Sequence, residues 1–147
     1  MKYKELKKEN INNLSKYLDS NMCLIGIFND MCAHCIIMRP EWNCLKTKIK
    51  NINGDGILLE INSKYINLIN NPNFTNKING YPSIFLYKNG ILIKEYSGDR
   101  TCENMLSFIK PYIIYRKNKN VQKSVQKILK GNKKYKNIKS TNKVKKY

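Results

Sequence analysis

An apolar run followed at once by a cysteine pair and a helical repeat constrains this chain more than any other feature. Residues 22–29 (Met-Cys-Leu-Ile-Gly-Ile-Phe-Asn) are almost continuously apolar, as expected of a central strand covered on both faces. Cys32-Ala33-His34-Cys35 comes next, and Met38, Trp42, Leu45 and Ile49 then recur at i, i+4, i+7 and i+11, on one face of a helix. A strand, a short polar turn and a helix with two cysteines in its first turn is a framework for thiol-disulfide chemistry. The unpaired amides of a first helical turn favour a thiolate on the first cysteine. Cys32 is therefore the expected nucleophile, and Cys35, one turn deeper, the thiol that resolves a mixed disulfide.

Zinc is the main rival for a two-residue cysteine spacing. Structural zinc sites need a second ligand pair, and Cys23, Cys44, Cys102 and the single histidine, His34, show none at ligand spacing. No metal or cofactor is expected. Cys23, Cys44 and Cys102, each isolated in sequence, read as small buried core residues.

Downstream, residues 57–61 form another short apolar strand after the turn-rich Asn53-Gly54-Asp55-Gly56. Strands at 83–88 and 91–96 flank Asn89-Gly90, the strongest short hairpin signal available. Strand, helix, strand, helix, hairpin and helix in that order predict an α/β fold with a mixed central sheet.

Several segments in this order resemble the thioredoxin-like superfamily, and within it the domains of protein disulfide isomerase. Asn-Asp-Met-Cys-Ala-His-Cys followed by Met38-Arg39-Pro40-Glu41-Trp42 is similar to the family's active-site helix, with Pro40 five residues past the second cysteine. Gly80-Tyr81-Pro82-Ser83-Ile84 resembles its cis-proline loop, and Tyr96-Ser97-Gly98-Asp99-Arg100-Thr101 the segment before its last helix. The resemblance covers about residues 3–110 and implies a thioredoxin-like fold with disulfide oxidase or isomerase activity on protein thiols and disulfides. It implies that Pro82 is cis beside the cysteines and that Tyr81 offers main-chain hydrogen bonds to an extended substrate. His34 between the cysteines would stabilise the Cys32 thiolate as a nearby positive charge. Arg100 matches an arginine that can favour the thiolate of the resolving cysteine; the alternative for it is a solvated side chain.

Two departures stand out. Gly26 lies where the family carries a buried acid that handles the resolving thiol's proton, and Glu60 lies where the family has that acid's lysine partner. Glu60 is therefore the candidate replacement, reaching under the site as proton acceptor for Cys35, against the alternative of an exposed strand-end carboxylate. Met31 stands where the family usually has tryptophan, which bears on substrate packing.

Charge divides the chain sharply. Residues 1–115 carry a net +5, whereas residues 116–147 hold 13 Lys or Arg and no Asp or Glu. Residues 1–115 are expected to form the domain and 116–147 a basic tail. In that tail Val121, Val125, Ile128 and Leu129 predict a short amphipathic helix near 119–130, and the lysine- and asparagine-rich remainder predicts disorder. Such a tail suits nucleic-acid phosphates or another anionic surface, or serves only to solubilise. Asn, Ile and Lys make up 67 of 147 residues, a composition of AT-rich coding sequence.

Neither a signal-peptide core nor an apolar stretch long enough to span a membrane is present, so a cytoplasmic location is expected. A dithiol there needs a dedicated upstream thiol oxidase to become oxidised. Large DNA viruses that assemble in the cytoplasm run such pathways, which extends the expected location to the virion. Two other readings stay open: a thioredoxin-like reductant, and a non-catalytic protein that uses the tail to hold nucleic acid or a virion component.

Overall fold

The structure, a computed structural model, describes residues 1–116. The expected tail helix near 119–130 and the expected disorder beyond it lie outside the described residues.

A five-stranded mixed sheet is built from β1 (Lys2–Leu6), β2 (Cys23–Phe28), β4 (Ile57–Asn62), β5 (Ser83–Lys88) and β6 (Ile91–Glu95), in the order β1-β4-β2-β5-β6. Strands β1, β4 and β2 are parallel, whereas β5 is antiparallel to both β2 and β6. The helices are α1 (Leu14–Leu18), α2 (Ala33–Lys50), α3 (Pro72–Thr75) and α4 (Cys102–Ile109). A two-residue strand β3 (Gly54–Asp55) inside the expected turn pairs with β7 (Ile114–Tyr115).

Every residue of β2 is buried, and its side chains alternate between two cores. Met22, Leu24 and Phe28 join Met38, Trp42, Leu45 and Ile49 of α2 and Met105 and Ile109 of α4 on one face. Cys23, Ile25 and Ile27 join Leu6, Leu18, Leu59, Phe74 and Phe85 on the other. This period of two explains why β2 reads as an unbroken apolar run. On β4, Leu58 packs into the α2 side and Leu59 and Ile61 into the opposite one, which directs Glu60 beneath α2.

The hairpin closes at Asn89-Gly90, where φ is 50° and 80°. Positive φ at both central residues is the type I′ geometry that matches strand twist, and Gly90 adopts it without a Cβ penalty. Strand β1 carried no apolar run to announce it. Its sequence is Lys-Tyr-Lys-Glu-Leu, of which only Leu6 is buried, as suits an edge strand guarded by lysines.

The expectation that Cys44 and Cys102 are core thiols is corrected: they form a disulfide that ties α2 to the start of α4, with Cα atoms 5.9 Å apart. Residues 58 positions apart in sequence meet only because the two helices share one face of the sheet, where Glu41 of α2 also accepts the Cys102 N–H at 2.7 Å. Cys23 is a buried free thiol, and desolvation pushes its pKa up.

Candidate active site

Strand β2 ends at Phe28, and the chain turns through Asn29–Met31 into α2. Within that turn the Asn29 side chain accepts the Met31 N–H at 2.8 Å, and the Asn29 carbonyl accepts the Cys32 N–H at 3.2 Å. Cys32 is the N-cap of α2, with extended backbone, and its carbonyl accepts the first helical bond from Ile36 at 3.0 Å. Its sulfur therefore stands before the open end of the helix.

Both cysteines are free thiols, in different surroundings. Cys32 is partly exposed and donates to the Tyr81 carbonyl at 3.3 Å. Its pKa is lowered, first by the Cys35 main-chain N–H and then by the Cys35 thiol, with smaller help from the His34 N–H and the Arg100 charge. Cys35 is 2% exposed, and desolvation is the first cause that holds its thiol up. The Asn29 N–H, donating to its sulfur at 3.4 Å, and the charge of Arg39 act in the opposite direction. The pair is thus polarised, an accessible thiol of lowered pKa beside a covered thiol of raised pKa.

Across from the pair, the Tyr81–Pro82 peptide bond is cis. Arg100 donates to the Pro82 carbonyl at 3.3 Å, and its charge lowers the pKa of Cys32. The effect on Cys35 that the resemblance implies for Arg100 stays an expectation; its hydrogen bond puts the guanidinium against the loop that carries the cis-proline. The imidazole of His34 is exposed, and the His34 main-chain amide is among the groups that lower the Cys32 pKa. Met31, Ile36 and Ile37, which flank the cysteines in sequence, are all strongly exposed.

Glu60 is buried, 8% exposed, so it is not a solvated strand-end carboxylate. Its register partner on β2 is Gly26. A Cβ on Gly26 would meet the Trp42 indole and the Phe28 ring at 2.6 Å, so those two rings occupy the space a side chain there would need. Trp42 is fully buried, and its Nε1 donates to Glu60 Oε2 at 3.0 Å. The same oxygen accepts from the Tyr3 hydroxyl at 3.0 Å and pairs with Lys46 at 2.5 Å, while Oε1 pairs with Arg39. Burial opposes ionisation of Glu60; the hydrogen bond and charge of Lys46, together with Arg39, outweigh it and hold the carboxyl below its ordinary range.

Arg39 and Lys46 escaped the sequence reading. Arg39 is four residues past Cys35 and Lys46 four past Trp42, spacings that put each pair on one side of a helix. What sequence alone lacks is the distance across the sheet to Glu60. Arg39 lies over the Phe28 ring, 4.3 Å from its centroid, and lines an open cleft of roughly 470 Å3 with Asn29, Asp30, Cys35 and Pro40.

Residues 2–111 match the family model described as Thioredoxin. Bloodstream-specific protein 2 of Trypanosoma brucei brucei is 31% identical over 106 residues, covering 72% of this chain and 20% of that protein. Protein disulfide-isomerase A3 of Gallus gallus is 26% identical over 91 residues, covering 60% of this chain and 16% of that protein. The chain thus spans between 10% and 22% of the length of such curated relatives. Among solved structures, the first thioredoxin domain of mouse Protein disulfide-isomerase A4 aligns with a TM-score of 0.57 at 22% identity, covering 73% of this chain and 72% of that one. The J-Trx1 fragment of ERdj5 aligns with a TM-score of 0.58 at 17% identity, covering 75% of this chain and 51% of that one. The architecture is the thioredoxin-like α/β fold with its mixed central sheet and flanking helices.

Proposed function

The chain belongs to the thioredoxin family, and from that premise we propose that it is a thiol-disulfide oxidoreductase of the oxidase or isomerase type, exchanging disulfides with protein substrates through Cys32 and Cys35. The observation that carries this reading is the polarised pair: a partly exposed Cys32 with a lowered pKa at the N-cap of α2, and a buried Cys35 with a raised one.

In the reducing direction the Cys32 thiolate attacks one sulfur of a substrate disulfide. A Cys32–substrate bond forms, and the other substrate sulfur leaves as a thiolate. Cys35 then loses its proton and attacks the Cys32 sulfur, closing Cys32–Cys35 and releasing the second substrate thiolate. Oxidation of a substrate dithiol is the reverse, and isomerisation is attack followed by return before Cys35 acts. A stable thiolate at Cys32 makes it a good leaving group, which favours the oxidising side. An extended substrate segment would lie along the Tyr81–Pro82 loop, next to the sulfur that attacks it.

The Cys44–Cys102 disulfide supports a setting in which an oxidant reaches this chain. In a cytoplasmic location that oxidant would be an upstream thiol oxidase, the same agent that would regenerate the Cys32–Cys35 disulfide. The basic segment 116–147 would add attachment to an anionic surface, which salt-dependent binding by the full chain would reveal.

The deciding experiment is the equilibrium reduction potential of the Cys32/Cys35 couple in graded glutathione buffers, followed through the single tryptophan, Trp42. A value near about −180 mV or higher supports the oxidase or isomerase; one near about −270 mV makes the protein a reductant. Absence of a measurable disulfide at any poise ends the enzymatic reading.

A further inference from the structure

Glu60 is surrounded by donors. Tyr3 and Trp42 hold one oxygen from neutral groups, Lys46 holds it from a charged one, and Arg39 takes the other oxygen. Trp42 is fixed by complete burial and by its edge contact with Phe28, ring centroids 5.1 Å apart. The carboxylate is fixed in turn, and so is the guanidinium it pairs with. Phe28 secures Arg39 a second time through its ring face. The result is an immobilised cation at the wall of the cleft that opens on Cys35.

We propose that Arg39, clamped by Glu60, is the charge that stabilises the Cys35 thiolate while it resolves the mixed disulfide, and that Glu60 is a positioning residue and not the proton acceptor. This rests on the redox reading above. A guanidinium stays protonated throughout the working pH range, so Arg39 takes no proton. The Cys35 proton passes to solvent in the cleft, the Cys35 sulfur bonds to Cys32, and the substrate sulfur leaves carrying the electron pair of the broken bond. No outside oxidant enters this step.

The charged and titratable groups around Cys35 are Cys32 and Arg39 on its own helix and Asp30 on the loop after β2, with Glu60, Lys46 and Tyr3 behind Arg39. Asp30 is engaged by the Asn62 side-chain amide at 2.8 Å. Arg100 faces Cys32. Arg39 is the one cation of α2 that both lines the cleft and favours the Cys35 thiolate.

The test is the single-turnover reaction of the full chain, reduced at Cys32 and Cys35 with the Cys44–Cys102 disulfide left intact, with oxidised glutathione, acid-quenched across pH 5–9. Attack by Cys32 releases the first glutathione and resolution by Cys35 the second. Arg39→Met is expected to slow the second release about tenfold at neutral pH, the effect of about one pKa unit, and to move its pH profile to alkaline values. The first release should keep its rate. Arg39→Lys should restore most of the second step. Glu60→Gln should move the profile in the same direction, and the double variant should be no slower than Arg39→Met alone, because the two residues act as one unit.

An unchanged second step in Arg39→Met overturns the inference. So does a double variant in which the losses multiply, since Glu60 would then act on Cys35 by itself. If Arg39→Met fails to fold, the Arg39→Lys and Glu60→Gln profiles carry the same comparison: an unshifted profile in Glu60→Gln overturns it. A wild-type chain that releases no glutathione at all defeats the redox reading as well, whereas failure of the inference alone leaves both wild-type steps in place.

Discussion

The Trp42 indole occupies the space beside Gly26 that any side chain on that residue would fill: a Cβ there would sit 2.6 Å from the indole ring. This contact links the absence of a side chain on β2 to the full burial of a large ring from α2. It also sets where the indole N–H points, toward Glu60 on the neighbouring strand. Gly26→Ala should therefore lower stability by about 1–3 kcal/mol through overpacking, read from the denaturant midpoint. A variant as stable as the parent would mean that Trp42 and Phe28 move aside freely.

Removing the second disulfide tests the packing of α2 on α4. Cys44→Ala with Cys102→Ala should cost about 2–4 kcal/mol under oxidising conditions, mainly by releasing a constraint on the unfolded chain. Because neither residue lies at the redox pair, the alkylation rate of Cys32 should not change. An unshifted denaturation midpoint would show that the bond contributes nothing to stability.

Acid should expose the Glu60 cluster. Its folded pKa is depressed, so its contribution is fully present above the unfolded carboxyl value of about 4.3 and is lost as pH falls through the lower folded value. Glu60→Gln should destabilise the protein at neutral pH, and the gap in melting temperature from wild type should close as pH drops below about 4. A gap that stays constant across that window would contradict an ionised, paired Glu60.

The two thiols should separate by pH. Iodoacetamide should modify Cys32 below the ordinary thiol pKa of about 8.5, and Cys35 only above it, because their shifts have opposite sign. Arg100→Met should raise the pH needed for Cys32, since its charge favours that thiolate, with little change at Cys35. Peptide mapping of the alkylated sites checks both statements, and modification of the two cysteines in step would refute them.

Local patterns carried most of the architecture into view. The buried run of β2, the apolar face of α2 at Met38, Trp42, Leu45 and Ile49, and the Asn89-Gly90 turn are all read from residues close in sequence. Each depends on backbone periodicity or on the φ preference of one or two residues. Strand β1 is the counterexample, since its edge position left it only one buried side chain, Leu6, to mark it.

The roles of individual residues around the cysteines were less accessible. Cys32 and Cys35 are legible because their chemistry and their spacing on one helical turn are local. The Cys44–Cys102 bond, the hydrogen bond of Arg100 to the Pro82 carbonyl, and the cluster of Tyr3, Arg39, Trp42, Lys46 and Glu60 were decided only in three dimensions. Glu60 stands alone on its strand in sequence, yet β1 and α2 bring four donors to it. Charge interactions act through space and depend on burial, so a carboxylate's role is set by what the sheet and helix deliver to it, whereas the period of a strand or helix is already written along the chain.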